Sequence, residues 1–184
     1  MSQLHDKKTI MDADGIDRSI GRMAAEIVER NQSLSDAVVI GVQRRGVYLA
    51  CRLCDKLRRL VGRKLPLGEL DIALYRDDIT LLDDQPVVNS TSIPTDINGK
   101  TVILVDDVIF TGRTVRAAME ALADMGRPSC VQLLVLIDRG HRELPIQPDY
   151  LGREVPTSLG EAVEVRVSEL DGVDEVVIAE SEKQ

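Results

Sequence analysis

The stretch from residue 102 to 114 constrains the fold more than any other part of the chain. Val102, Ile103, Leu104 and Val105 form an unbroken aliphatic run that meets two adjacent carboxylates, Asp106 and Asp107. A run without alternation suits a strand covered on both faces, as in a parallel sheet; a strand with one wet face would alternate. After a short loop, Thr111-Gly112-Arg113-Thr114 opens a segment in which Val115, Ala118, Met119 and Leu122 recur at helical spacing. Strand, loop and helix in this order put charged and hydroxyl groups at the carboxyl end of a buried strand. In open α/β sheets that crevice holds ligands.

The rest of the chain supports the same architecture. Residues 14–31 carry Ile16, Ile20, Met23, Ala24 and Ile27 at helical spacing. A short apolar strand is expected at Ala37–Gly41, a helix from Val47 to about Arg63 and a strand at Gly68–Tyr75. Residues 76–94 are polar, with two prolines and two Asp-Asp pairs, and read as a long loop or exposed hairpin. The core strand is expected at Val102–Asp106, its helix at Gly112–Met125 and the next strand at Val131–Ile137. Residues 138–160 are rich in Gly and Pro, and short strands at Ala162–Val167 and Val173–Ala179 follow in an acidic tail. Alternating strands and helices imply right-handed crossovers and a parallel sheet.

The chemistry of the 102–114 stretch has two halves. A helix start offers unpaired backbone N–H groups and the positive end of the helix dipole, which favour a phosphate. Gly112 allows close approach, the Thr111 and Thr114 hydroxyls add donors, and Arg113 adds charge if it points inward. Asp106 and Asp107 suit sugar hydroxyls or a hydrated divalent cation. A ribose 5-phosphate group fits both halves. Either half alone is equally a helix cap or a solvated turn.

Gln43-Arg44-Arg45-Gly46 also lies between a strand and a helix, so it faces the same crevice and suits a pyrophosphate. Arg76 and Asp77 begin the long loop, where an arginine could close over a departing anion and exclude water. Ile137, Asp138 and Arg139 end a strand beside the crevice, where backbone groups could read the edge of a planar base. His141 beside them is more simply a surface residue than a general base.

Val102–Thr114 resembles the phosphoribosyl-pyrophosphate (PRPP) signature of type I phosphoribosyltransferases: a hydrophobic strand, two acidic residues, a short loop and Thr-Gly-x-Thr. Leu74-Tyr75-Arg76-Asp77-Asp78, the segment Asp138–Ile146 and Val155-Pro156-Thr157-Ser158 occur with it. In that combination the chain resembles, from about residue 10 to residue 180, the PyrR family of pyrimidine-operon attenuation regulators that are also uracil phosphoribosyltransferases.

The resemblance implies an α/β fold: a parallel-sheet core with helices on both faces and a small hood. The chain would be one domain, with a core of about 14–140 and a hood from the N-terminal segment and about 141–184. It implies conversion of uracil and PRPP to UMP and pyrophosphate, with Mg²⁺ held mainly through PRPP and no dedicated protein ligand set. Asp106 and Asp107 would be the catalytic pair holding the ribose hydroxyls. Val105 and Val108–Thr114 (Val108, Ile109, Phe110, Thr111, Gly112, Arg113, Thr114) would complete the PRPP and UMP site. Gln43, Arg44, Arg45 and Gly46 would form the pyrophosphate loop, Arg76 and Asp77 the flexible loop, and Ile137, Asp138 and Arg139 the base side. It further implies a homo-oligomer and UMP-dependent binding of pyrimidine-operon leader mRNA, with Arg142 as an RNA-binding residue. Gln43 and Arg44 stand where relatives more usually carry Lys or His and Thr. Gly21, Ala25 and Gln147 stand where polar or basic side chains are expected for RNA. Other readings are a catalytically weak RNA-binding regulator or a purine phosphoribosyltransferase, which shares the core motif.

Composition limits the alternatives. The net charge of −8 and a 2% aromatic content argue against a general nucleic-acid binder or a base-stacking platform. No apolar run approaches the roughly 20 residues of a bilayer span, and Met1–Lys8 lacks an apolar signal core, so the cytoplasm is expected. Cys51 and Cys54 form Cys-x-x-Cys inside an expected helix without a second ligand pair, which favours ordinary cysteines over zinc or redox chemistry. A P-loop Gly-x-x-x-x-Gly-Lys-Ser/Thr is absent, and the lysine of a receiver domain is missing after the 131–137 strand.

Overall fold

The Val102–Val105 run sits in the middle of a five-stranded parallel sheet, where both of its faces are covered. The computed structural model describes residues 4–31, 33–77 and 91–181. In chain order these form β1 (Leu4–Asp12), α1 (Ala13–Arg30), β2 (Ala37–Val42), α2 (Arg45–Val61), β3 (Leu67–Leu70) and a 3₁₀ turn at Ala73–Tyr75. There follow β4 (Thr101–Ile109), α3 (Arg113–Met125), β5 (Cys130–Asp138), β6 (Tyr150–Glu154), β7 (Glu161–Arg166), α4 (Ser168–Asp171) and β8 (Glu175–Ser181). The large sheet has the order β3-β2-β4-β5-β6, and a small antiparallel sheet has the order β1-β8-β7.

Pleating splits β4 between two cores. Val102 and Leu104 pack with Val38, Ile40, Leu133 and Val135 under Val115, Ala118 and Leu122 of α3. Ile103 and Val105 pack with Val39, Leu134 and Leu136 under Ile20, Ile27, Leu49 and Leu53 of α1 and α2. Each such fully buried aliphatic side chain stabilises the fold by roughly 1.5–3 kcal/mol. Val165, Val167 and Val176 of the small sheet and its flanks join the α1–α2 core, which seats that sheet on the large one. The expected α/β core with helices on both faces is present.

The helix ends follow from local chemistry. Asp12 accepts from the Gly15 N–H at 2.8 Å and starts α1. Asn31 ends it by donating from Nδ2 to the Ile27 carbonyl at 2.8 Å. Gly62 ends α2 at φ 73°, a left-handed cap that glycine adopts without a Cβ clash.

Several expected boundaries differ. The strand expected at Gly68–Tyr75 stops at Leu70, because Asp71 Oδ1 accepts from the Ala73 N–H at 2.8 Å and bends the chain into the 3₁₀ turn. The core strand expected at Val102–Asp106 continues to Ile109, since Val108 and Ile109 pair with Ile137 and Asp138 of β5. Asp107 therefore lies within the strand, as Asp106 does, and not beyond it. The Gly- and Pro-rich stretch contains β6, which pairs Tyr150 with Leu134 and Arg153 with Ile137. The N-terminal segment is a strand, although Asp6-Lys7-Lys8 gives it no apolar alternation; β8 pairs with it from Leu4 to Asp12. Most of the polar loop expected at 76–94, including Asp78, lies outside the described residues.

Candidate active site

The carboxyl end of β4 carries two carboxylates with unlike surroundings. Asp106 is 5% exposed, and its Oδ1 accepts from the Asp107 N–H at 2.9 Å. Burial, reinforced by the charge of Asp107, pushes its carboxyl well above the ordinary aspartate range. Asp107 is half-buried and accepts from the Val108 N–H at 2.9 Å. Burial raises it too, opposed by its hydrogen bonds and by the positive charge of Arg45.

Beyond Ile109 the chain turns through Phe110 and Thr111 into Gly112, whose φ of 92° caps α3. Gly112 has no side chain to cap this helix start, which borders a cavity of 290 Å³. Val108–Val115, Arg76 and Asp77 line that cavity. Thr111 Oγ1 accepts from the Arg113 N–H at 3.3 Å. The Thr111 carbonyl accepts from Glu143 and Leu144 at 2.9 and 3.1 Å, tying the loop to the 142–146 segment. Arg113, whose direction the sequence left open, reaches Glu143 at 2.8 Å and Asp77 at 2.7 Å.

The 43–46 loop stands beside this strand because β2 pairs with β4, Gly41 opposite Val105. The Gln43–Arg44 peptide is cis. Gly46 lies flat against β4: a Cβ there would stand 2.5 Å from the Val105 carbonyl oxygen. Arg44 is exposed. Arg45 is held by Asp171, 126 residues away in sequence, at 2.9 Å. Asp171 has no local sequence signature, so its place at the site emerges only in three dimensions.

On the other side of β4, β5 delivers Ile137, Asp138 and Arg139. Ile137 is fully buried. Arg139 is 7% exposed, its guanidinium 4.0 Å from the centroid of the Phe110 ring. It donates to Thr157 Oγ1 at 3.1 Å and to the carbonyls of Ser158 and Glu161. His141 Nε2 donates to the Thr157 carbonyl at 2.6 Å and the ring meets Phe110 edge-on, which gives His141 a structural partner. Arg142 donates to the Phe110 carbonyl at 2.7 Å, to the Ile146 carbonyl at 2.9 Å and to Asp138. It therefore fastens the end of β4 to the 138–146 loop. Gly21 is half-buried on α1, whereas Ala25 and Gln147 are exposed.

Arg76 and Asp77 thus share a cavity with Val108–Val115, while β2 and β5 set the 43–46 loop and residues 137–139 on either side of β4. The Phosphoribosyl transferase domain family matches residues 6–167. The hypoxanthine phosphoribosyltransferase of Trypanosoma cruzi shares the fold, with a TM-score of 0.72 at 17% identity, covering 96% of this chain and 98% of that one. A hypoxanthine phosphoribosyltransferase from Staphylococcus aureus does so with a TM-score of 0.70 at 16% identity, covering 94% and 90%. The chain is a phosphoribosyltransferase.

Its relatives are more specific. The Bifunctional protein PyrR of Pelotomaculum thermopropionicum is 57% identical over 176 residues, 96% of this chain and 97% of that protein. The protein of the same name from Chloroflexus aurantiacus is 58% identical over 172 residues, 94% of each. The chain belongs to the PyrR family.

Proposed function

We propose that the chain converts uracil and PRPP to UMP and pyrophosphate, and that with UMP bound it regulates pyrimidine-operon expression by binding leader mRNA. One observation supports the transferase reading above the others: a glycine-led helix start bordering a 290 Å³ cavity, just beyond the buried Asp106 and half-buried Asp107 on the same strand. The N–H groups of 111–114 and the Thr111 and Thr114 hydroxyls suit the 5′-phosphate. Asp106 and Asp107 suit the 2′- and 3′-hydroxyls. A carboxyl with a raised pKa can donate as well as accept, so Asp106 fits a diol better than two fully ionised groups would.

Gln43, Arg44, Arg45 and Gly46 would receive the pyrophosphate, with Arg76 and Asp77 at the cavity edge, and the 137–139 strand end would face the base. Uracil N1 bonds to C1 of the ribose as the bond from C1 to the pyrophosphate oxygen breaks, the pyrophosphate keeping the electron pair and N1 releasing its proton. No side-chain nucleophile is needed; positioning and charge stabilisation suffice. Mg²⁺ would neutralise the leaving pyrophosphate while bound to PRPP oxygens.

For the regulatory role, Arg142 would be an RNA-binding residue, and its bonds to Phe110, Ile146 and Asp138 would shape the loop that meets the RNA. The whole chain is proposed as one cytoplasmic domain that forms a homo-oligomer. Its core spans about 14–140. The N-terminal segment and about 141–184 form the hood, from which β6 reaches back into the core sheet. No described helix is long and apolar enough to cross a membrane.

Purified protein with uracil, PRPP and Mg²⁺ should form UMP, and Asp107→Asn should lower kcat/KM by about 10²–10³, the scale for losing one preorganised polar contact. Absence of UMP rejects uracil as the acceptor, and an unaffected Asp107→Asn rejects the role of the acidic pair; turnover of hypoxanthine or guanine instead would favour a purine enzyme. A gel shift with the leader RNA and UMP should weaken steeply between low and moderate salt.

A further inference from the structure

We infer that Asp171, on the hood, is a positioning residue that presents Arg45 to the pyrophosphate of PRPP. The inference rests on the transferase reading above.

Arg45 is the first residue of α2, beside the carboxyl end of β4. Asp171 grips one edge of its guanidinium: Nε donates to Oδ2 at 3.3 Å and Nη2 to Oδ1 at 2.9 Å. A paired carboxylate contact of this kind fixes the plane of the fork as well as its position. Nη1 makes no hydrogen bond among the described residues, and the positive charge of Arg45 acts on Asp107. Arg45 therefore keeps a donor beyond those that Asp171 takes.

Asp171 is itself fixed. Its Oδ2 accepts from the Val167 N–H at 2.9 Å, and its side chain is 22% exposed. The short helix that carries it is seated on α2 a second time, by Arg52, which donates to Glu169 and to Asp174, each at 2.6 Å. Arg45 and Arg52 are seven residues apart and so lie on one face of α2. Two arginines thus bind one hood turn, and Arg45 is the one at the start of α2, with its charge acting on Asp107. An unheld arginine would sample many rotamers and lose that freedom on meeting the ligand. Asp171 removes this loss in advance.

Titration calorimetry on the full chain with Mg²⁺–PRPP, Mg²⁺–pyrophosphate and UMP separates this role from simple hood docking, because UMP has no pyrophosphate. Asp171→Asn should weaken PRPP and pyrophosphate about tenfold and leave UMP within about twofold. Adding Asp171→Asn to Arg45→Ala should cost nothing further. Glu169→Gln, which loosens the same turn at Arg52, should leave all three affinities unchanged. The inference is overturned if Asp171→Asn leaves PRPP binding intact, weakens UMP equally, or is matched by Glu169→Gln. Wild-type protein that binds PRPP yet makes no UMP from uracil would reject the base assignment alone. Wild-type protein that binds neither PRPP nor UMP would reject both readings.

Discussion

Arg113 and Asp77 face each other at 2.7 Å beside the cavity at the start of α3, and Arg116 reaches the same carboxylate at 3.2 Å. The hydrogen bond from Arg113 holds the Asp77 carboxyl below the ordinary aspartate range. Arg113, in the loop proposed to hold the phosphate, is thus paired with two protein carboxylates, Asp77 and Glu143. A carboxylate at this position competes with a phosphate. Asp77→Asn should tighten UMP binding about threefold to tenfold at 50 mM salt, with the gain fading at 0.5 M as screening grows. Calorimetric titration at both salt concentrations checks it; weaker binding in the variant would mean that Asp77 organises Arg113 instead of occupying it.

Asp106 should cost stability in return for function. Its carboxyl is raised in the folded chain, first by burial and then by Asp107. The unfolded chain ionises near the ordinary value of 3.8, so the native state is favoured below that pH. It loses stability progressively as the pH rises through the raised value. Asp106→Asn removes this dependence. The variant should melt higher than wild type at pH 7 and no higher at pH 3.5, while losing affinity for PRPP. Thermal melts across that range decide the matter, and a variant that melts lower at pH 7 would contradict it.

The site was legible in the sequence where its residues are neighbours along the chain. Val102–Thr114 spans one strand, one turn and one helix start, and local pattern fixes all three. The directions of its side chains were not legible. Arg113 is set by Asp77 and Glu143, 36 and 30 residues away, and Arg45 by Asp171, 126 residues away. Nothing in a window of residues records such pairings. The hidden strands have similar causes. β6 contains Gly152, which reads as a breaker, yet a Cβ there would lie 2.4 Å from the Leu136 carbonyl oxygen, so close strand packing requires the glycine. β1 carries a charged sequence and gains its structure from β8 at the far end of the chain.

Gly46→Ala should be costly for a similar reason. The added methyl would meet the Val105 carbonyl oxygen at 2.5 Å and the Asp106 Cα at 3.3 Å, both backbone atoms of the central strand. Neither can rotate away, so α2 must shift. Overpacking of this kind costs about 1–3 kcal/mol. The shift would also displace the 43–46 loop, so PRPP affinity should fall while UMP affinity changes less. Urea unfolding with ligand titration measures both; an alanine variant of unchanged stability would show that the helix has room to move.

Arg142 offers a test of how RNA binding is built. Its side chain is 20% exposed, and Nε, Nη1 and Nη2 each have an acceptor. Arg142→Ala would strand the Phe110 and Ile146 carbonyls and the Asp138 carboxylate, at about 1.5–3 kcal/mol for a hydrogen bond to a charged group. The expected outcome is a combined defect: a lower Tm, weaker UMP binding and weaker leader-RNA binding. Arg142→Lys should not restore them, because an ammonium cannot reach three acceptors arranged for a fork. Loss of RNA binding with Tm and UMP affinity unchanged would instead make Arg142 a direct RNA contact.

The Cys-x-x-Cys pair should behave as two unlike, unlinked thiols. Cys51 and Cys130 are exposed, whereas Cys54 faces the α1–α2 core. Burial, then Cys51 and Asp55, pushes the Cys54 thiol up to about 12. At pH 8 its thiolate fraction would be on the order of 10⁻⁴, far too small for nucleophilic or metal chemistry. Native protein treated with iodoacetamide at pH 8 should therefore be alkylated at Cys51 and Cys130 only, and at all three cysteines in denaturant. Mass spectrometry of the labelled peptides reads the pattern directly. Labelling of Cys54 as fast as Cys51 in the folded protein would show that the helix opens or that the pair is activated.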